Sequence, residues 1–325
     1  MQRFLRLLFV TCFILPIMGV VLLWWFLMGP HREYVPGEFN QSKNAIWMGH
    51  TWVEDTHSPE DLERVGEGLL SRDIHYLYLH TGPFESDGTI PEALYPEATN
   101  FLNYFHENFP NIQSYAWLGQ LRSQVDIDDE QVRGEMIATA QKLVEEVGFD
   151  GIQYNIEPLR SGDEGFLNLL RETRLTLPET PISIATDEWQ PKSLSNLVAK
   201  YFEIEVISYW ATEDFKEAMP LVDQVVIMGY DIGLSSEDWY HWFLEQQVVY
   251  ATKMAQESGA EVLLGIPAYE SESPVETIEN GLLGAIQGLT NRRSRPENFA
   301  GVAIYSYWEI DGNEWEAYES LWQEE

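Results

Sequence analysis

The residues best placed to do chemistry sit at the end of one short stretch, GFDGIQYNIEP (148–158). Apolar and polar residues alternate along it, as in a half-buried strand, and it finishes on Asn155 and Glu157. Side chains at i and i+2 on a strand point to the same side, so this amide and this carboxyl can act on one group. A carboxyl group so placed is suited to general acid/base work. A solvated strand end would carry the same two residues, so the pair acquires meaning only from its neighbours.

Three other strand-like segments end in a comparable way. They close on Met228-Gly229-Tyr230-Asp231, on Pro267-Ala268-Tyr269-Glu270 and on Tyr305-Ser306-Tyr307-Trp308-Glu309. Carboxylates suited to proton transfer and rings suited to stacking on sugars therefore recur at strand ends, the composition of a glycan cleft. Trp47, in the first strand, is a further candidate ring.

The elements that must position these residues alternate in type. Strand-like runs occur at 45–52, 74–80, 112–118, 151–156, 182–186, 224–230, 261–267 and 301–307. Amphipathic segments lie between most of them, notably 127–147, 236–257 and 274–288, and Pro91 and Asp238 stand near helix starts. Alternation of β and α elements implies a parallel sheet, and about eight repeats imply a closed α/β (β/α)8 TIM barrel. No GxGxxG follows the first strand, which disfavours a nucleotide-binding sheet. In such a barrel the C-terminal strand ends form the active face. Residues 187–222 hold a long excursion, expected to add a helix or strand between the fifth and sixth barrel strands.

Residues 7–28 carry no charge and are long enough to span a bilayer, with Arg3 and Arg6 before them and Trp24 and Trp25 near the far end. They predict a single N-terminal transmembrane helix, a signal-anchor with the N-terminus cytoplasmic and the rest outside; secretion after signal cleavage is the alternative. The expected organisation is an anchor over 1–28, a polar tether over 29–43 and a barrel over 44–325.

Acidic residues number 53 against 19 Lys and Arg, a net charge of −34, which repels nucleic acid and anionic membrane surfaces. Such a surface serves solubility or a saline habitat, and it also fits neutral or partly cationic polymers. The sole cysteine, Cys12, falls in the apolar run, so the body of the chain has no disulfide. The His residues show no metal-ligand spacing, and no metal or cofactor is expected.

In order along the chain, these segments resemble the family 18 glycoside hydrolases, the chitinase-like barrels. Asp150, Gly151 and Glu157 match that family's D-G-x-D-x-D-x-E, with Gln153 and Asn155 in place of the inner aspartates. Met228, Tyr230 and Asp231 match its M-x-Y-D, GIPAYE (265–270) looks like its G-x-P-x-Y, and GVAIYSYW (301–308) is similar to its eighth strand, with Tyr305 where a Trp is usual. The resemblance implies a retaining, substrate-assisted hydrolysis of β-linked N-acetylhexosamine glycans, in which the substrate's own acetamido oxygen attacks the anomeric carbon. Glu157 would be the general acid/base, Asn155 would orient the acetamido group, Tyr230 would hydrogen-bond its oxygen, and Asp231 would contact the reacting sugar. Asp150, Gln153, Met228, Tyr269, Glu270, Tyr305, Tyr307, Trp308 and Trp47 complete the expected substrate-binding set.

Three readings follow. The first is an anchored extracytoplasmic glycosidase acting on an N-acetylglucosamine-type polymer or a cell-wall saccharide. The second is a catalytically inactive chitinase-like barrel that binds glycan or a protein partner, since Asn155 gives no negative charge and Gln153 removes a relay carboxylate. The third is a two-carboxylate retaining glycosidase using Glu157 and Glu270.

Overall fold

The computed structural model of the chain describes residues 17–19, 31–191 and 209–323. Among the described residues, eight parallel strands pair in chain order: β1 (Asn44–Met48), β2 (Ile74–His80), β3 (Gln113–Leu121), β4 (Gly151–Glu157), β5 (Ile182–Thr186), β6 (Gln224–Met228), β7 (Glu261–Pro267) and β8 (Phe299–Tyr305). β8 returns to β1 and closes the barrel. A helix follows each strand: α1 (Pro59–Leu70), α2 (Ala98–Asn108), α3 (Glu130–Lys142), α4 (Glu164–Thr176), α5 (Thr212–Ala218), α6 (Glu237–Ser258), α7 (Ile278–Thr290) and α8 (Gly312–Trp322).

The alternation along β4 sorts two cores. Ile152, Tyr154 and Ile156 belong to the apolar layer shared with the helices, where the Tyr154 hydroxyl meets Thr173 Oγ1 of α4 at 3.0 Å. Gly151, Gln153, Asn155 and Glu157 have the opposite parity and face the barrel axis. A second cluster fills the interior, with Trp47, Tyr78, Tyr115, Trp117, Val226 and Leu263 among its members. Each large apolar side chain fully buried this way contributes about 1.5–3 kcal/mol. The interior is unusually aromatic and therefore carries polar atoms that need partners. Trp47 Nε1 donates to Gln153 Oε1 at 2.8 Å, and Gln153 Nε2 donates to Ser183 Oγ at 3.2 Å.

Helix starts follow local capping chemistry. Ser58 caps α1 with Pro59 in its first turn, while Asp129, Asp163 and Thr277 accept backbone N–H groups at the starts of α3, α4 and α7. Asp311 and Glu314 form a reciprocal capping box on α8. Such caps are worth about 1 kcal/mol each. They also account for boundary differences from the sequence reading. The helix expected over 127–147 starts only after the Asp129 cap, and its last turn widens over Leu143–Val147 before Gly148 ends it. The one expected from 274 waits for Thr277. The first strand stops at Met48, because Thr51–Glu54 forms a helical turn, and the sixth at Met228.

The expected membrane segment at 7–28 lies outside the described residues, apart from 17–19, which are helical. Among the described residues no helix is long and apolar enough to cross a membrane. Residues 31–43, read as a tether, lie against the barrel. Arg32 N donates to Thr290 O at 3.1 Å, the Tyr34 hydroxyl donates to Leu321 O at 2.6 Å, and Phe39 is buried. In the 187–222 excursion, residues 192–208 lie outside the described set, and α5 follows them. Its base is tied: Trp210 N donates to Glu188 O at 2.9 Å and Gln190 N to Trp210 O at 3.0 Å.

Candidate active site

Glu157 is the last residue of β4 and partly buried at the C-terminal rim. Burial pushes its carboxyl above the usual carboxylate range and the nearby Asp231 charge adds to this, while a hydrogen bond from the Asn155 amide pulls it back. Asn155 is only 9% exposed, and its Oδ1 has no hydrogen-bond partner. The Asn155 amide thus stands beside the Glu157 carboxyl, while its Oδ1 is a buried acceptor without a donor.

Glu157 opens onto a cleft of ≈ 280 Å³ between the ends of β4, β5 and β6, shared with Asp187, Glu188, Met228, Tyr230 and Asp231. Tyr230 is stacked on Tyr305 at 5.1 Å between ring centroids, and both rings stand edge-on to Trp47. Burial, then the charge of Glu157, raises the Tyr230 hydroxyl well above its ordinary range, so it remains a proton-bearing donor. Asp231 adopts a left-handed backbone, with φ of 59°. The buried carboxylate of Glu276 holds that turn by accepting Asp231 N at 2.6 Å and Gly233 N at 2.8 Å. The Tyr269 hydroxyl donates to Asp231 Oδ1 at 2.7 Å.

Other expected site residues are placed differently. Gln153 and Trp47 are fully buried beneath the rim and bonded to each other. Asp150 precedes β4 at the opposite end of the barrel, accepting from Ser114 N at 2.7 Å; seven residues of strand put it about 23 Å from Glu157. Glu270 is exposed on the loop after β7. Tyr307 turns toward Trp52, 5.7 Å away, and not toward Tyr230. Trp308 is 47% exposed and edge-on to Tyr305 at 5.4 Å.

Two residues absent from the sequence reading matter to the site. Glu188, just beyond β5, has its carboxyl pushed up to about 7, first by burial and then by the charges of Asp187 and Glu276. Its signal was available, because ISIAT is followed directly by two acids at a C-terminal strand end. Glu276 gave no such signal, since it lies in a loop far along the chain from Asp231. Among the described residues no group of three or more His, Cys, Asp or Glu is placed to hold a metal ion.

No family model matches the sequence, and no curated protein matches it. Solved structures do. The Ostrinia furnacalis group IV chitinase superposes with a TM-score of 0.58 at 15% identity, over 87% of this chain and 100% of that one. A chitinase from Bacteroides thetaiotaomicron gives 0.58 at 14% identity, over 87% and 97%. The Bacillus cereus spore cortex-lytic enzyme SleL gives 0.56 at 14% identity, over 86% and 74%. At these identities the fold is what is shared: this chain has a (β/α)8 barrel similar to those of the solved chitinases.

Proposed function

We propose that the protein is a glycosidase cleaving β-linked N-acetylhexosamine glycans, with Glu157 as general acid/base. The observation that carries this reading is the pairing of Glu157, a carboxyl disposed to keep its proton, with Asn155, whose Oδ1 is a buried acceptor lacking a donor. An acetamido N–H is a donor of the right kind for that atom. The Tyr230 hydroxyl, kept protonated, would donate to the acetamido oxygen and aim it at the anomeric carbon.

In the reaction so derived, Glu157 gives its proton to the glycosidic oxygen as the bond from that oxygen to C1 breaks. The acetamido oxygen bonds to C1 and forms a cyclic oxazolinium ion. Water then attacks C1 and gives a proton to the Glu157 carboxylate, and the acetamido oxygen is released. No protein nucleophile is needed. Asp231, held in the same cleft, would contact the reacting sugar, and its charge adds to burial in raising the Glu157 carboxyl above its ordinary range. The uncharged run at 7–28 supports anchoring at a membrane with the barrel outside.

A second reading, an inactive barrel that binds glycan, is favoured by one observation: at position 155 the site offers a neutral amide where positive charge would develop. Incubation with chitooligosaccharides and chromogenic N-acetylglucosaminides separates the two. Turnover that disappears in Glu157→Gln supports the hydrolase; saturable binding without turnover in either protein supports the binder.

A further inference from the structure

The chain has 53 acidic and only 19 basic residues, yet Arg292, Arg293 and Arg295 all fall in one short loop between α7 and β8. A loop that leads into a strand lies at the N-terminal end of the barrel. This one therefore stands a strand length, about 20 Å, from the rim that carries Glu157. Arg295 N donates to Thr252 Oγ1 at 3.0 Å and Asn298 Nδ2 to Thr252 O at 2.9 Å, which ties the loop to the lower half of α6. Lys253 is the next residue of that helix. Its ammonium lies 5.6 Å from the centre of the Tyr250 ring. The Arg293 guanidinium lies 5.4 Å from the same ring and donates to its hydroxyl at 3.0 Å. Arg292 is exposed, and Arg295 partly so.

Elsewhere cations are met by carboxylates, as Arg72 is by Glu319, Arg133 by Glu172 and Arg174 by Asp223. Among the described residues, Lys253, Arg292 and Arg295 have no carboxylate within ion-pair reach, although Glu257 and Glu297 lie on or beside the same two elements. Lys216 shares this lack, but no second cation stands on its helix, α5. Gathered cations repel one another: burial, then the charges of Arg293 and Arg295, pull the Lys253 ammonium below its ordinary range. An anion bound among them would relieve that repulsion, and guanidinium groups match the oxygens of a phosphate.

The same loop receives the strap that precedes the barrel. His31 pairs with Asn291, and its Nε2 lies 3.2 Å from Glu245 Oε1 on α6. The uncharged run at 7–28 ends three residues before His31 in the sequence. Three residues reach at most about 11 Å. Surface charge is felt over about 8–10 Å at physiological salt, so at this range local charge outweighs the net charge of the whole chain.

We infer that Lys253, Arg292, Arg293 and Arg295 form a seat for the phosphate groups of an anionic phospholipid surface, setting the barrel on the membrane by its N-terminal end with the Glu157 cleft turned outward. This rests on the anchoring part of the proposed function, which brings a bilayer within reach, and is independent of whether the barrel hydrolyses glycans.

The test uses the full chain in lipid nanodiscs, either of phosphatidylcholine alone or of phosphatidylcholine mixed with phosphatidylglycerol. Modification of each arginine by phenylglyoxal is read by mass spectrometry. In the anionic discs at low salt, modification of Arg292 and Arg295 is expected to fall about tenfold and to recover at high salt, each cation contributing about fivefold. Arg171, on α4 across the barrel, should change less than twofold. Lys253→Gln, remote from the Glu157 cleft, should weaken the protection about fivefold and leave the melting temperature unchanged. Equal modification in the two kinds of disc overturns the seat, and so does equal protection by millimolar inorganic phosphate in phosphatidylcholine discs, which would make the ligand a free anion. Anchoring is scored separately, by whether the chain stays with the discs at high salt. A chain that leaves them sinks the anchor. Salt-sensitive sedimentation of that chain with phosphatidylglycerol vesicles, weakened in Lys253→Gln, then upholds the seat, and its absence overturns it.

Discussion

The Glu276 carboxylate grips the backbone of Asp231, accepting its N–H at 2.6 Å while also accepting that of Gly233. A non-glycine residue in the left-handed region costs roughly 1–2 kcal/mol, and Glu276 supplies the two charge-assisted hydrogen bonds that offset it. Asp231 reaches the Glu157 cleft through that turn. Replacing Glu276 with Gln leaves one amide N–H group facing a donor. The expected outcome is a loss of about 1–3 kcal/mol in urea unfolding, with kcat lowered about tenfold as Asp231 loosens. Unchanged stability together with unchanged kcat would remove Glu276 from this role.

Glu157 offers a direct assay of the chemistry. Glu157→Gln keeps the shape and removes the transferable proton, so turnover should fall about 10²- to 10⁴-fold with the melting temperature little changed. Asn155→Ala should push the carboxyl of Glu157 higher still, because the hydrogen bond that lowers it is lost. The descending limb of the pH–rate profile would then move to higher pH in that variant. A limb that stays put or moves down would contradict the assigned contact.

Asp231→Asn should act in the other direction on the same limb. The Asp231 charge adds to burial in raising the Glu157 carboxyl, so its removal lowers the Glu157 pKa. Residual activity in Asp231→Asn should therefore fade at a lower pH than in the parent protein, which a rate profile between pH 4 and 8 would resolve.

Stability itself should depend on Glu188. Its folded-state pKa of about 7 lies above the ordinary 4.5, so between those values the folded protein binds more protons than the unfolded chain. Its contribution is present below pH 4.5 and lost as pH rises through 7, by at most about 3 kcal/mol. Glu188→Gln should flatten that part of the curve and raise stability at pH 8. Parallel urea titrations of the two proteins at pH 4.5 and 8 check it.

Gln153 should behave as a structural residue. Gln153→Met conserves volume but strands Trp47 Nε1 and Ser183 in the barrel interior, costing about 1–3 kcal/mol. Saccharide affinity measured in the folded variant should change little; a selective loss of affinity without loss of stability would put Gln153 in the binding surface.

What could be read from the sequence follows from how each signal arises. β4 announced itself because its parity sorts apolar Ile152, Tyr154 and Ile156 from inward-facing Gln153, Asn155 and Glu157, and periodicity is a local property. The barrel followed from the repeat of such units. Asp150 matched a motif as well, but motifs run along a strand and a barrel has two ends, so the first residue of the match lies remote from the last. Glu276 depended on a turn 45 residues away in sequence, a pairing that no local pattern encodes.

The bridge between Trp189 and Trp210 joins two parts of the chain beside the Glu157 cleft. Gln190 N donates to Trp210 O and Trp210 N to Glu188 O, so the end of β5 and the approach to α5 are held to each other. The clasp therefore fixes where Glu188 stands at the edge of the acidic cleft and where the chain re-enters the barrel at α5.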